Sequence, residues 1–149
     1  MMIRNFGVVE PKRLYRSGRY TFKGMSEVAK AYGFRRIVCL RESQPLFGLE
    51  TYRKAGFDFV HLRLIEHQRI DKSILDVVFP AGIQSTLVHC WKGAHRTGAV
   101  IGLLRRRQGW DDQAIWEEMS FYGFGKPENH LELYLSVFPD KADQERIGV

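Results

Sequence analysis

Val88-His89-Cys90-Trp91-Lys92-Gly93-Ala94-His95-Arg96-Thr97-Gly98 joins two stretches of opposite character. Before it, Thr86-Leu87-Val88-His89-Cys90 is β-branched and apolar and reads as a strand. After it, Thr97 to Gln108 is apolar almost all round as far as Leu104, reads as a central buried helix, and closes on Gly109-Trp110. The residues between are therefore a strand-to-helix loop. Further out the alternation continues. Ile37-Val38-Cys39-Leu40 and the period-two run Phe57 to Leu64 are strand candidates. Met25 to Tyr32 and Leu46 to Ala55 are helical and end on Gly33-Phe34 and Gly56-Phe57. Lys72 to Phe79 follows as a further helix. Asp111-Asp112 caps Gln113 to Phe121, and Pro127 opens Glu128 to Phe138. Strands alternating with helices predict an α/β fold with a central, mostly parallel sheet flanked by helices.

At 149 residues the chain is sized for one domain, with a core at about 5–138 and a tail at 139–149. Its 44% hydrophobic and 27% charged content is globular. No run reaches the ~18 apolar residues of a membrane span, and Met1-Met2-Ile3-Arg4-Asn5 has no apolar signal region. A cytoplasmic monomer without membrane association is expected, with Cys39 and Cys90 as thiols. Five histidines and two cysteines are too dispersed for a structural zinc site. Net charge +6 implies an anionic partner of unspecified kind.

The loop specifies the anion further. A thiol is a good nucleophile only when ionised, and the amino end of a helix with inward-facing amides favours that form. The same amides suit phosphoryl oxygens. Gly93 lets the backbone approach closely. Arg96 brings a planar fork matched to two oxygens. Thr97 can donate its hydroxyl to the Cys90 sulfur, and Lys92 and His95 add positive charge at the rim. Trp91, Lys92, Gly93, Ala94, His95 and Arg96 thus form a candidate phosphate-binding loop around the nucleophile Cys90.

This pattern resembles the His-Cys-x5-Arg-Ser/Thr loop of the protein tyrosine phosphatase superfamily. The finer string His89-Cys90-x-Lys92-Gly93-x-His95-Arg96-Thr97-Gly98 is most similar to atypical dual-specificity phosphatases of plants and fungi and to small cysteine phytases. Asn5-Phe6-Gly7-Val8-Val9, Leu14-Tyr15-Arg16-Ser17-Gly18 and Leu40-Arg41-Glu42 also resemble that group, as do Arg107-Gln108-Gly109-Trp110 and the helix after it. The resemblance implies a phosphocysteine intermediate with no metal and no cofactor. It also implies a structural role for His89 in shaping the loop, and a general acid on the loop after the strand Phe57 to Leu64. Glu66 and Asp71 are the candidates. Glu66 has a surface carboxylate as its alternative, and Asp71 an N-cap. The stretch between that loop and Cys90 is shorter than in the family, so spacing does not choose.

Other residues carry lesser expectations. Cys39 reads as core, with a redox bridge to Cys90 as the alternative. Arg41 and Glu42 read as a structural pair, with substrate contact as the alternative. Trp91 is either packed on a neighbouring surface or a pocket wall. Arg105-Arg106-Arg107 reads as cations complementing a helix dipole, with a partner patch as the alternative. The expected activity is a metal-independent cysteine phosphatase acting on inositol polyphosphate ahead of phosphotyrosine protein. The rival readings are an RNA 5′-triphosphatase, which the lack of a basic or aromatic nucleic-acid module disfavours, and a weakly catalytic phosphate-binding module.

Overall fold

Period-two alternation along the strands sends their side chains to two separate cores. A computed structural model describes residues 2–141. Its five strands are β1 (Gly7–Glu10), β2 (Leu14–Ser17), β3 (Arg36–Cys39), β4 (Asp58–His61) and β5 (Thr86–His89). They form one sheet in the order β1-β2-β5-β3-β4. Only β1 runs antiparallel to its neighbour; the other pairings are parallel. In register, Tyr15, Leu87 and Ile37 line up across the sheet and feed one core with Met25, Phe34 and Tyr52. Val38 and Val88 feed the other, with Ala99, Val100, Ile101 and Met119.

The helices are α1 (Phe22–Tyr32), α2 (Leu49–Lys54), α3 (Ile74–Val78), α4 (Arg96–Arg107), α5 (Asp112–Phe121) and α6 (Leu131–Val137). Thr21 caps α1 by accepting from the Gly24 amide, and Gly33 ends it with φ 88°. Asp111 caps α5 through the Ala114 amide at 2.8 Å. Helix α4 is buried from Thr97 to Leu103, as its all-round apolar sequence requires.

Several expected boundaries move. The segments β1 and β2 form a hairpin that carries too little alternation to announce itself. Helix α2 begins at Leu49 because Phe47 turns inward, stacking on Tyr20 and meeting Tyr52 edge-on. The helix expected from Glu128 to Phe138 is a 3-10 turn, Pro127–His130, followed by α6. The expected tail from 139 lies largely outside the described residues. No helix among the described residues is long and apolar enough to cross a membrane.

Candidate active site

Cys90 follows β5 directly and Arg96 is the first residue of α4, so the loop spans the end of the central strand and the start of the buried helix. Its orientation can be read from its carbonyls. The Trp91 carbonyl accepts from the Arg19 amide at 2.7 Å. The Lys92 carbonyl accepts from Asn5 Nδ2 at 3.3 Å and the Gly93 carbonyl from Arg16 Nη2 at 3.0 Å. All three are thus turned outward, onto the segment joining β2 to α1 and its neighbours. No peptide here is cis. Each planar trans unit therefore aims the next N–H the opposite way, so the amides of Lys92, Gly93 and Ala94 face inward. Three inward amides held by outside support can cradle an anion.

The support is close. Gly93 has φ 74°, and a Cβ there would lie 2.5 Å from the Gly18 nitrogen. A Cβ on Gly18 would lie 2.6 Å from the Lys92 carbonyl carbon. Gly93 is thus required for the approach of the β2–α1 segment. Beneath the loop, Arg16 is 1% exposed, lies 3.7 Å over the Tyr122 ring, and is lowered to about 10 by burial.

Cys90 is 2% exposed, and its sulfur accepts from Thr97 Oγ1 at 3.0 Å. Arg96 is fixed by its Nε, which donates to the Leu64 carbonyl at 2.8 Å. Its Nη2 lies 3.8 Å from a carboxylate oxygen of both Glu42 and Glu66. At that range the attraction is electrostatic and leaves hydrogen-bond positions on the fork open. The other oxygen of Glu66 contacts His130 Nδ1. The His130 ring stacks on His95 with centroids 3.5 Å apart. Burial and the neighbouring His130 lower His95 to about 4.

His89 belongs to the other side of the sheet. Strand alternation separates it from Cys90 and places its Nε2 3.1 Å from the Tyr20 hydroxyl, which lies 2.8 Å from that of Tyr52. Its Nδ1 donates to the Cys90 carbonyl at 3.3 Å. A carbonyl only accepts, so Nδ1 carries the proton and Nε2 accepts from Tyr20. Burial lowers His89 to about 4, keeping it neutral. It orients the loop's first carbonyl.

A hollow of about 440 Å³ adjoins the loop, lined by Arg41, Glu42, Ser43, Trp91 and Arg96. Trp91 is its wall, 44% exposed, with Arg19 4.6 Å and Arg41 5.0 Å from its ring centre. Arg41 and Glu42 are not paired with each other as expected: Arg41 donates to Ser43 and Glu42 faces Arg96.

The model of the tyrosine phosphatase family matches residues 1–147 of the chain. The chain belongs to that family. Inositol diphosphatase SIW14 of Saccharomyces cerevisiae is 32% identical over 66 residues, which is 44% of this chain and 24% of that protein. Inositol diphosphatase DSP1 of Oryza sativa subsp. japonica is 30% identical over 132 residues, 82% of this chain and 58% of that one. The chain thus spans less than two thirds of the length of these relatives. The crystal structure of the core catalytic domain of PP-IP phosphatase SIW14 from S. cerevisiae, in complex with citrate, superposes with a TM-score of 0.76 at 25% identity, covering 97% of this chain and 90% of that one. TpbA of P. aeruginosa gives 0.74 at 24% identity, with the same coverage.

Of the two family acid candidates, the fold brings only Glu66 to the loop. Asp71 is exposed, accepts from the Ser73 amide at 2.8 Å at the entry to α3, and lines a different hollow with Arg63 and Ile74. That bond holds its carboxyl below the ordinary carboxylate range, the wrong direction for holding a proton. Cys39 is fully buried beside His89 in register, and burial pushes its thiol up to about 11, as for a core residue. Sequence reasoning missed Arg16 and His130. A cation inside the short strand Leu14–Ser17 was a signal for the first; nothing around Asn129-His130 marks the second.

Proposed function

We propose that the chain is a metal-independent phosphatase that works through a phosphocysteine intermediate on phosphorylated inositols. The 3.0 Å contact between Thr97 Oγ1 and Cys90 Sγ, inside a loop whose amides face inward, carries this reading. Cys90 Sγ attacks phosphorus as the bond to the leaving oxygen breaks, and Glu66 supplies that oxygen's proton. The amides of Lys92, Gly93 and Ala94 and the Arg96 fork hold the three remaining oxygens. Water then attacks the phosphocysteine, Glu66 takes its proton, and the S–P bond breaks. Thr97 stabilises the departing thiolate by its hydrogen bond, and inorganic phosphate leaves.

Substrate class follows from the surroundings. Arg41 and Arg96 line the hollow, and Arg19 lies over the ring of its Trp91 wall, which favours a ligand with more than one phosphate. The relatives named inositol diphosphatases support the same class. The test is phosphate release, with EDTA present, from inositol hexakisphosphate, a diphosphorylated inositol and a phosphotyrosine peptide. Release from the inositols that disappears in Cys90→Ser is expected. Undiminished release in Cys90→Ser, or loss with EDTA, overturns the mechanism. Preference for the peptide transfers the reading to phosphotyrosine, for which Trp91 offers an aromatic wall.

A further inference from the structure

Glu66, His95 and His130 lie far apart in sequence and on three different elements. The first follows β4, the second ends the phosphate-binding loop, and the third ends the 3-10 turn before α6. The fold brings one ligating atom of each within 4.8 Å of the other two, all half-buried. The two imidazole rings lie face to face, with centroids 3.5 Å apart and planes 24° from parallel. Glu66 already turns one oxygen to His130 Nδ1. Bonds of about 2.0–2.2 Å to a common ion require the three atoms to draw together and one ring to rotate.

We propose that Glu66, His95 and His130 form a binding site for a divalent transition-metal ion of the zinc class, and that its occupancy suppresses turnover. Two imidazoles and a carboxylate suit zinc and its neighbours, whereas magnesium and calcium prefer oxygen donors alone. The site is regulatory: an ion there takes the carboxylate assigned above to proton transfer and draws His95 toward the metal at the mouth of the loop. The chemistry itself remains metal-free. The binding half stands on the ligand geometry, and the inhibitory half rests on the proposed mechanism.

Binding is measured on full-length Cys90→Ser protein, which removes the competing thiol. Calorimetric titration with zinc chloride near neutral pH is expected to show one ion per chain, undisturbed by excess magnesium. Added His130→Ala or Glu66→Gln is expected to weaken it at least about tenfold. Titration with cobalt(II) on Cys90→Ser alone reads the ligand set without altering it. Visible d–d bands of a four- or five-coordinate nitrogen–oxygen site are expected. Zinc binding unchanged by both substitutions, no saturable binding below millimolar zinc, or a hexaaqua-like cobalt spectrum overturns the site. For inhibition, the zinc concentration that halves phosphate release from the Cys90-containing chain is compared with that for its His130→Ala variant. A rise of at least about tenfold supports the regulatory role, and an unchanged value assigns inhibition to the Cys90 thiol and overturns it. A chain that binds zinc at this site yet releases no phosphate from any substrate refutes the phosphatase reading and not the site.

Discussion

A single methyl group at Gly93 would meet the Gly18 backbone nitrogen at 2.5 Å, at a residue whose φ of 74° already disfavours any Cβ. Gly93→Ala therefore forces the loop off the β2–α1 segment and turns its carbonyls away from their donors. Phosphate release is expected to fall at least about a hundredfold, with stability lower by about 1–3 kcal/mol, measured by kinetics and urea melts. Glu66 and Asp71 separate by the same kind of reasoning. Glu66→Gln is expected to slow hydrolysis of a phosphomonoester with a poor leaving group at least about tenfold. The effect should be smaller on a diphosphate, whose leaving phosphate needs less help. Asp71→Asn is expected to leave both rates near wild type, because its carboxylate serves the Ser73 amide; a loss there comparable to that of Glu66→Gln would reverse the assignment. His89 has a pH signature. Its folded value of about 4 lies below the ordinary 6.5, so the unfolded chain binds its proton first. Its neutral form is fully accommodated above pH 6.5, and stability is lost as pH falls from there toward 4. From neutrality to pH 4.5 the loss is about 2–3 kcal/mol. Urea midpoints across that window should show a shallower decline in His89→Gln than in the wild type.

At the scale of elements, α4 is anchored by the three arginines at its end, each of which has a specific partner. Arg105 donates to both carboxylate oxygens of Glu118 on α5, at 3.0 and 2.9 Å, and to the Val9 carbonyl of β1. Arg106 reaches the Val137 carbonyl of α6 and Asp112 of α5, and Arg107 reaches Asp76 of α3. The triple arginine stands in the last turn of α4, where cations complement the helix dipole, and it is also a hub that ties four neighbours to the helix bearing Arg96 and Thr97. Arg105 and Glu118 are largely enclosed, with side chains 8% and 19% exposed. Removing one partner strands a charge. Glu118→Ala is expected to destabilise by about 3 kcal/mol, read as a lower urea midpoint with unchanged slope. Little change would mean that water reaches Arg105 and that α4 is held by apolar packing alone.

Across the whole molecule, the basic excess becomes useful only where the fold concentrates it. Arg19 and Arg41 lie more than twenty positions apart in sequence yet flank the same indole beside Arg96. Arg41→Gln is expected to raise KM for inositol hexakisphosphate at least about threefold while leaving KM for a small aryl phosphate nearly unchanged, with the difference shrinking in high salt. Equal effects on both substrates would place Arg41 in loop support and not in substrate selection. The strand, the loop that follows Cys90 and the first turn of α4 were legible from Val88 to Gly98, because they are consecutive: alternation, a glycine and the order Cys90, Arg96, Thr97 describe their geometry locally. The hairpin β1–β2, the acid nearest the loop and the supporting cation were not. Glu66, His130 and Arg16 reach the site because β2 lies beside β5 and the segments after β4 and before α6 close over the same sheet end. Those are pairings between distant parts of the chain, which propensity and periodicity do not encode. The sequence alone determined the order of strand, loop and helix around Cys90 and the α/β class. Only the tertiary structure decided that Glu66, and not Asp71, joins Glu42 at Arg96, and that two dispersed histidines meet beside it.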